Sequence, residues 1–316
     1  MILPFIKLMR PGDWTKNLFV LPALIVSAPR LVSEGADAGP LILNTALAFI
    51  AFCLLASGFY AVNDIADAPQ DRRHPIKRLR PVASGAVTPG RALVFGVLLI
   101  IVGLAVALAV SRMLLLTLLC YALLQILYNV RIKHAMLVDV VALALGFALR
   151  ATAGAVAIDV RISVWLLLCV FFLCLYLGFI KRLCDLSSAA AAGDTHWKSP
   201  AGYDDRIELN WLLGISAALA IVTYLMYATS EHAWALFGSR SVGFALLSPL
   251  VMITIHRFYR RASRGRSDSP LSALLEDRTV LVCVVLFALG VILSLYVPHV
   301  QRVFEHIFVA GVESPS

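Results

Sequence analysis

The chain has 316 residues, of which 60% are hydrophobic and 15% charged, with a mean hydropathy of +0.87. That balance excludes an ordinary soluble domain, where the charged share is nearer a quarter. A formal net charge of +8 calls for no nucleic acid once the cations are placed along the chain. The six cysteines form no C-x-x-C pair and mostly sit in apolar runs, so they read as small packing residues rather than a zinc site or disulfide framework.

Apolar windows of a length suited to crossing ~30 Å of hydrocarbon recur along almost the whole chain. They fall at 18–31, 41–62, 92–110, 113–130, 136–158, 162–180, 209–229, 242–258 and 280–297. The windows lack two-residue alternation, so the expectation is an all-α polytopic membrane bundle of about nine transmembrane helices around a central cavity opening to the cytoplasm. Residues 1–300 form a single transmembrane domain and 301–316 a short tail without a strong signal. The first window is the shortest. No small-x-small cleavage site follows it, so it reads as a span rather than a signal peptide. Gly146, Gly154, Gly178 and Gly214 lie within spans and allow helices to approach closely.

Nine spans sort the cations sharply. One face takes Lys7, Arg10, Lys16, the cations of 72–91, Arg131, Lys133, Lys181, Arg182, Lys198, Arg206 and those of 257–278; the other takes Arg30, Arg112, Arg161, Arg240 and Arg302. The positive-inside rule then places the N-terminus and the chemistry-rich loops in the cytoplasm and the C-terminus outside. In a bacterium that membrane is the inner, plasma membrane. Two long cytoplasmic loops, 63–91 and 181–208, are separated by four helices, which suggests two facing four-helix halves with a ninth helix appended.

The charged motifs follow in chain order. Arg10-Pro11-Gly12-Asp13-Trp14-Thr15-Lys16-Asn17 has the form of an interfacial anchor, from which Lys16 and Asn17 can still reach a polar cavity. Asn63-Asp64-Ile65-Ala66-Asp67-Ala68-Pro69-Gln70-Asp71 ends the second span. Asp64, Asp67 and Asp71 are spaced i, i+3, i+7 and share one helix face, though Pro69 is expected to kink the helix near Ile65 and leave Asp71 on a turn. Three clustered carboxylates near lipid repel one another and lose hydration. A divalent cation such as Mg2+, which takes carboxylate and substrate phosphate oxygens together, relieves them. One solvated aspartate paired with a nearby arginine would need no such ion; three on one face favour it.

His74-Pro75-Ile76-Lys77-Arg78-Leu79-Arg80-Pro81 holds cations between two prolines, and rigid presentation of Lys77 and Arg80 suits phosphate. Arg72 and Arg73 read as anchors and His74 as structural. Asp139 and Arg150 both lie in the fifth span, as a site or as a buried ion pair. Tyr128 and Lys133 are weaker candidates of the same kind. Lys181-Arg182-Leu183-Cys184-Asp185 closes the sixth span, equally an anchor at a helix C-terminus or a phosphate site. There Asp185 adds a metal ligand or orients Lys181. The third cytoplasmic loop, 259–277, reads as flexible and solvated, with Asp277-Arg278 as a helix-start carboxylate and an anchor.

The first acidic motif, Asn63-Asp64-x-x-Asp67-x-x-x-Asp71, matches at every position the signature of the UbiA-type intramembrane prenyltransferase superfamily, which the chain resembles from Arg10 to about Val297. Within it the chain looks most like the branch of decaprenyl-phosphate phosphoribosyltransferases. The matching pieces are Arg10-Pro11-x-x-Trp14-x-Lys16-Asn17, His74-Pro75-x-Lys77-x-x-Arg80-Pro81, Tyr128, Lys133-His134, Asp139, Gly146-Phe147-x-Leu149-Arg150-Ala151, Lys181-Arg182, Ser269-Pro270 and Asp277-Arg278. The branch usually carries Glu where this chain has Asp185, and aromatic prenyltransferases carry a second acidic motif where it has Lys181-Arg182.

The resemblance implies transfer of 5-phosphoribosyl from phosphoribosyl diphosphate (PRPP) onto a polyprenyl (decaprenyl) phosphate, as in cell-wall arabinan biosynthesis, with Mg2+-assisted loss of diphosphate. Asp64, Asp67 and Asp71 are then the metal ligands and catalytic centre. Asn63, Lys16, Lys77, Arg80, Lys133, Arg150, Lys181, Arg182 and Asp185 bind substrate. The partners are PRPP, the lipid phosphate, membrane lipids and a possible second copy of the chain in a homo-oligomer. An aromatic prenyltransferase using a polyprenyl diphosphate and a non-enzymatic lipid or phosphate transporter are the alternatives.

Overall fold

A computed structural model of the chain describes residues 3–73, 77–191, 193, 201–265 and 276–307. Every regular element among them is helical. The expected flexible loop between 259 and 277 falls mostly outside these residues, as do His74, Pro75, Lys198 and Ser269-Pro270. The chain divides into two compact units, Met1–Ile132 with Leu149–Arg161, and Lys133–Ala148 with Ile162–Ser316.

The first unit begins with helix α1 (Leu3–Met9), a 3-10 segment (Pro11–Val20) and α2 (Pro22–Ser33). Prolines open both of the later pieces and divide what composition suggested was one apolar window. At 12 residues α2 rises only about 18 Å. The segment instead runs antiparallel to α3 (Ala38–Asp71): Ser57 donates to the Met9 carbonyl at 2.9 Å, Asn17 to Cys53 Sγ at 3.2 Å, and Val20 packs in the same core as Ala48. The Asp37 side chain caps α3 by accepting from the Gly39 N–H at 2.9 Å. Hairpin α4 (Pro89–Val110) and α5 (Arg112–Val130) turns on Ser111, whose hydroxyl accepts from the Leu114 N–H at 3.0 Å. The core of the unit joins Val20, Phe52, Leu55, Leu114, Leu118 and Tyr121.

Helix α6 (Val138–Ala157) contributes its two ends to different units. Its Gly154 receives the backbone of the N-terminal segment, where a Cβ would lie 1.9 Å from the Val20 carbonyl oxygen. Burial here is packing against protein rather than escape from water, because lipid tails are as apolar as Leu. Small residues at crossings therefore matter more than total apolar area.

In the second unit α7 (Val164–Ala191) packs on α8 (Arg206–Ala228) over a core of Val140, Tyr176, Phe179, Leu183, Leu209 and Leu213. Gly178 admits Val140, whose Cγ1 would lie 2.3 Å from an added Cβ. Gly214, expected at a crossing, faces open space instead. Then come α9 (Glu231–Phe237), α10 (Ser241–Leu246), α11 (Ser248–Ala262), α12 (Arg278–Tyr296) and α13 (Pro298–Ile307). The last occupies the tail in which the sequence carried no strong signal.

Seven helices (α3 to α8 and α12) are long and apolar enough to cross a membrane, and the pair from Glu231 to Ala262 makes an eighth if its 47° bend is one broken span. The expected nine is thus corrected to seven or eight among the described residues. Hydropathy overcounted at the window 18–31, and the window 242–258 belongs to the bent pair. Pro22 breaks the first, and Pro249 in the first turn of α11 restarts the second.

Candidate functional site

In the first unit α3 carries Asn63, Asp64, Asp67 and Asp71 on its last two turns. It does not unwind at Pro69 but remains helical to Asp71, so the expected turn at Asp71 is absent. Pro69 lies so near the C-terminus that its missing N–H costs only the last turn, and the Arg72 N–H closes it on the Ala68 carbonyl at 3.1 Å.

Two arginines converge on this acidic face. Asp64 is 1% exposed, and its Oδ1 forms a close ion pair with Arg10 and lies 3.7 Å from Arg80. Arg80 bonds Asp71 Oδ2 at 2.6 Å and so bridges the two carboxylates. Asp64 Oδ2 is buried and accepts no hydrogen bond. Both arginines are held by backbone. Arg10 has φ 52°, ψ 63° and reaches over the Tyr60 ring at 5.1 Å, a left-handed conformation unusual away from Gly and Asn. Arg80 follows the 3-10 turn Lys77–Leu79, and its carbonyl accepts from the Ser84 N–H at 2.9 Å. A small apolar cluster of Leu8, Ala61, Ala68, Val82, Val87 and Ala92 ties both segments down to α3.

Sequence reading gave Arg10 no binding role, since the contact joins residues 54 apart in the chain. Lys16, expected at the site, is exposed and pairs with Asp13 at 2.6 Å. Lys77 is exposed, and Asn63 and Asp67 are half-buried. Among the described residues no three of His, Cys, Asp or Glu stand close enough to hold a metal ion by themselves. The acidic face instead offers one buried carboxylate with a spare oxygen and a second carboxylate shared with a guanidinium. That donor set fits an ion whose other ligands are water and phosphate oxygens, which is how Mg2+ is commonly bound.

Deeper in the same unit, Arg150 is 4% exposed. Its Nε donates to Asn17 Oδ1 at 2.7 Å and its Nη2 to the Tyr121 hydroxyl at 2.9 Å, with the guanidinium 4.8 Å from the Tyr121 ring and 5.6 Å from Phe52. A pair with Asp139 is ruled out by position, since eleven residues of one helix separate them by about 16 Å.

Asp139 belongs to the second unit and has other partners. It is 0% exposed and accepts from Arg182 Nη2 at 2.6 Å and from the Tyr203 hydroxyl at 2.5 Å. The Tyr203 hydroxyl in turn accepts from the Leu137 N–H at 2.8 Å, where Leu137 has φ 69°. Burial, and then the Asp139 carboxylate, push the Tyr203 phenol above its ordinary range and keep it a donor. Arg182 lies 5.7 Å over the Tyr203 ring, and its Nε is buried without an acceptor. Asp139 therefore orients the Arg182 guanidinium at this end of α7. Asp185 is half-buried, Lys181 is exposed beside it, and Lys133 is half-buried in the 3-10 turn Ile132–His134. Tyr203 carried no sequence signal beyond its place in a cytoplasmic-type loop.

Helices of this number, length and apolar character define a multi-pass membrane protein. Residues 19–276 match the model of the UbiA prenyltransferase family, and the chain belongs to that family. A decaprenyl-phosphate phosphoribosyltransferase of Mycolicibacterium smegmatis is 30% identical over 279 residues, covering 87% of each chain. One from Corynebacterium glutamicum is 29% identical over 303 residues, 92% of this chain and 86% of that one. Among solved structures, a UbiA homolog from Archaeoglobus fulgidus bound to GPP and Mg2+ superposes with a TM-score of 0.65 over 92% of this chain and 98% of that chain. At 17% identity that likeness establishes the fold alone.

Proposed function

We propose that the protein transfers a 5-phosphoribosyl group from PRPP to a polyprenyl phosphate, releasing diphosphate. The relatives of that name, matched over 87% of both chains, carry this reading. The local chemistry supports it: where an acceptor base or a second acidic cluster would serve an aromatic substrate, α7 ends in Lys181, Arg182 and a single Asp185. A phosphate acceptor is already anionic and needs cations to hold it, not a base.

In the reaction the bond from the ribose anomeric carbon to diphosphate breaks, with its electron pair leaving on diphosphate. A lipid-phosphate oxygen bonds the same carbon from the opposite face and inverts it. No proton need move. Charge builds at the anomeric carbon as in glycoside cleavage. Asp64, Asp67 and Asp71 are the residues that would hold Mg2+, whose role when bound is to neutralise the departing diphosphate. Arg10 and Arg80, held against Asp64 and Asp71, offer their remaining N–H groups to the phosphate oxygens of the donor. Their guanidiniums are fixed in advance, so little reorganisation is left for the transition state. Asn63 and Lys77 complete the donor side. Arg182, held by Asp139 and Tyr203, keeps its Nε–H for a phosphate oxygen, with Lys133, Lys181 and Asp185 nearby in sequence. Arg150 fixes the N-terminal segment through Asn17. The water-soluble donor enters from the cytoplasm, and the acceptor lipid arrives within the plasma membrane.

The test is product identification. Purified protein given PRPP, Mg2+ and polyprenyl phosphate should yield a phosphoribosyl lipid by mass spectrometry. Finding no such lipid, but prenylation of an aromatic acid by a polyprenyl diphosphate, would move the chain to the other enzymatic reading. Substrate movement across vesicles without diphosphate release would make it a transporter.

A further inference from the structure

Where α11 ends and α12 begins, the second unit holds a cavity of about 270 Å3 that the reaction does not use. Arg257, Arg260, Arg261, Arg264 and Arg278 line it, with Glu276, Asp277 and Thr279. Four of these arginines recur at three- and four-residue spacing on one face of α11 and its C-terminal extension, where like charges oppose helix formation. The carboxylates compensate only part of this. Asp277 takes Arg257 through three contacts at 2.8, 3.0 and 3.2 Å, and Glu276 takes Arg261 at 2.6 Å. Asp277 is further committed as the cap of α12, accepting from the Thr279 N–H at 3.0 Å. Arg260, Arg264 and Arg278 are exposed and form no ion pair among the described residues, leaving an excess of three positive charges around the cavity. Arg261 Nε is buried there with no acceptor.

A plain positive-inside anchor needs cations at head-group depth and no more. It does not need them gathered around one half-open cavity, two pinned by carboxylates and one with a buried donor unanswered. Guanidinium groups in such an array match phosphate oxygens two at a time. Basic pockets between the ends of spanning helices are a recurrent seat for acidic lipid head groups. We propose that this cavity is a second anion site that binds a phosphate-bearing group, either the head group of an acidic membrane lipid or a soluble diphosphate. It does not rest on the reaction proposed above.

The test compares wild type with the triple variant R260Q/R264Q/R278Q, which leaves the pinned arginines and both carboxylates in place. Nanodiscs of pure phosphatidylcholine and of phosphatidylcholine with phosphatidylglycerol supply one arm, and inorganic diphosphate the other. Retained phosphatidylglycerol is counted by native mass spectrometry and stability by thermal unfolding. Wild type should retain phosphatidylglycerol selectively and melt higher with it, and the triple variant should bind it at least tenfold more weakly. If diphosphate displaces the lipid from wild type, or alone gives the shift that the variant lacks, the site is a phosphate site fed from solution. The charge-retaining variant R260K/R264K/R278K, with helical circular dichroism matching wild type, checks that loss of binding is not loss of fold. Equal retention of the two lipids by wild type together with no response to diphosphate overturns the proposal, as does undiminished binding by the triple glutamine variant.

Discussion

Replacing Tyr203 by Phe removes one oxygen and two hydrogen bonds. The buried Asp139 carboxylate loses a donor at 2.5 Å, and the Leu137 N–H, in a left-handed backbone, loses its acceptor at 2.8 Å. A hydrogen bond to a charged group is worth about 1.5–3 kcal/mol and a neutral one about 0.5–1.5 kcal/mol. The two are coupled through one hydroxyl, so the loss should be about 1.5–3 kcal/mol rather than their full sum. Arg182 keeps its contact with Asp139 but loses the constraint on that carboxylate. In the phosphoribosyl-transfer assay the KM for a phosphate-bearing substrate should rise about tenfold, equivalent to about 1.4 kcal/mol, with a smaller change in kcat. Tryptophan-fluorescence melting in detergent reads the stability and steady-state kinetics the binding. A Y203F protein that melts with wild type, or one that loses kcat with KM unchanged, would refute the assignment of Tyr203 as the positioning residue of Arg182.

Other outcomes follow from the same geometry. Gly154→Ala should destabilise the first unit by about 1–3 kcal/mol, because the new methyl meets the Val20 carbonyl rather than a movable side chain; a melt equal to wild type would contradict that packing. At Asp277 burial raises the carboxyl, but Arg257 and the Thr279 and Val280 N–H groups outweigh it and hold it below the usual carboxylate range. A depressed folded value means that this contribution is complete above the unfolded value of about 4 and is lost as pH falls through the lower folded value. Melting followed from pH 6 to pH 3 should therefore fall more steeply for wild type than for D277N. Parallel curves would show that the pair contributes nothing. Arg10→Gln should leave the helices intact, as read by circular dichroism, and weaken PRPP binding about tenfold or more; unchanged PRPP affinity would remove Arg10 from the donor site.

The sequence made α3 and its acids legible because a long apolar run ends abruptly in a spaced set of carboxylates. No soluble helix needs that pattern, and few membrane helices tolerate it. Arg80 was legible for the same local reason, lying between prolines close behind the acids. Arg10 and Tyr203 were not, since each acquires its role from a partner 54 or 64 residues away. In sequence Asp139 and Arg150 fall in one apolar window, which leaves a site or a buried ion pair open; helix rise separates them and gives Asp139 to Arg182. The overcount of spans has a comparable origin. Hydropathy sums composition over a window, whereas Pro22 and Pro249 act at single positions.

The most direct measurement is the rate of diphosphate release from PRPP with polyprenyl phosphate and Mg2+, compared between wild type and Asp64→Asn. The carboxamide keeps the size of the side chain and can still bond Arg10, but it cannot answer a cation with its buried second atom. The rate should drop by about 10²–10³ or more, with the melting temperature little changed. Full turnover by D64N would contradict the assignment of that buried carboxylate to the diphosphate end of the donor.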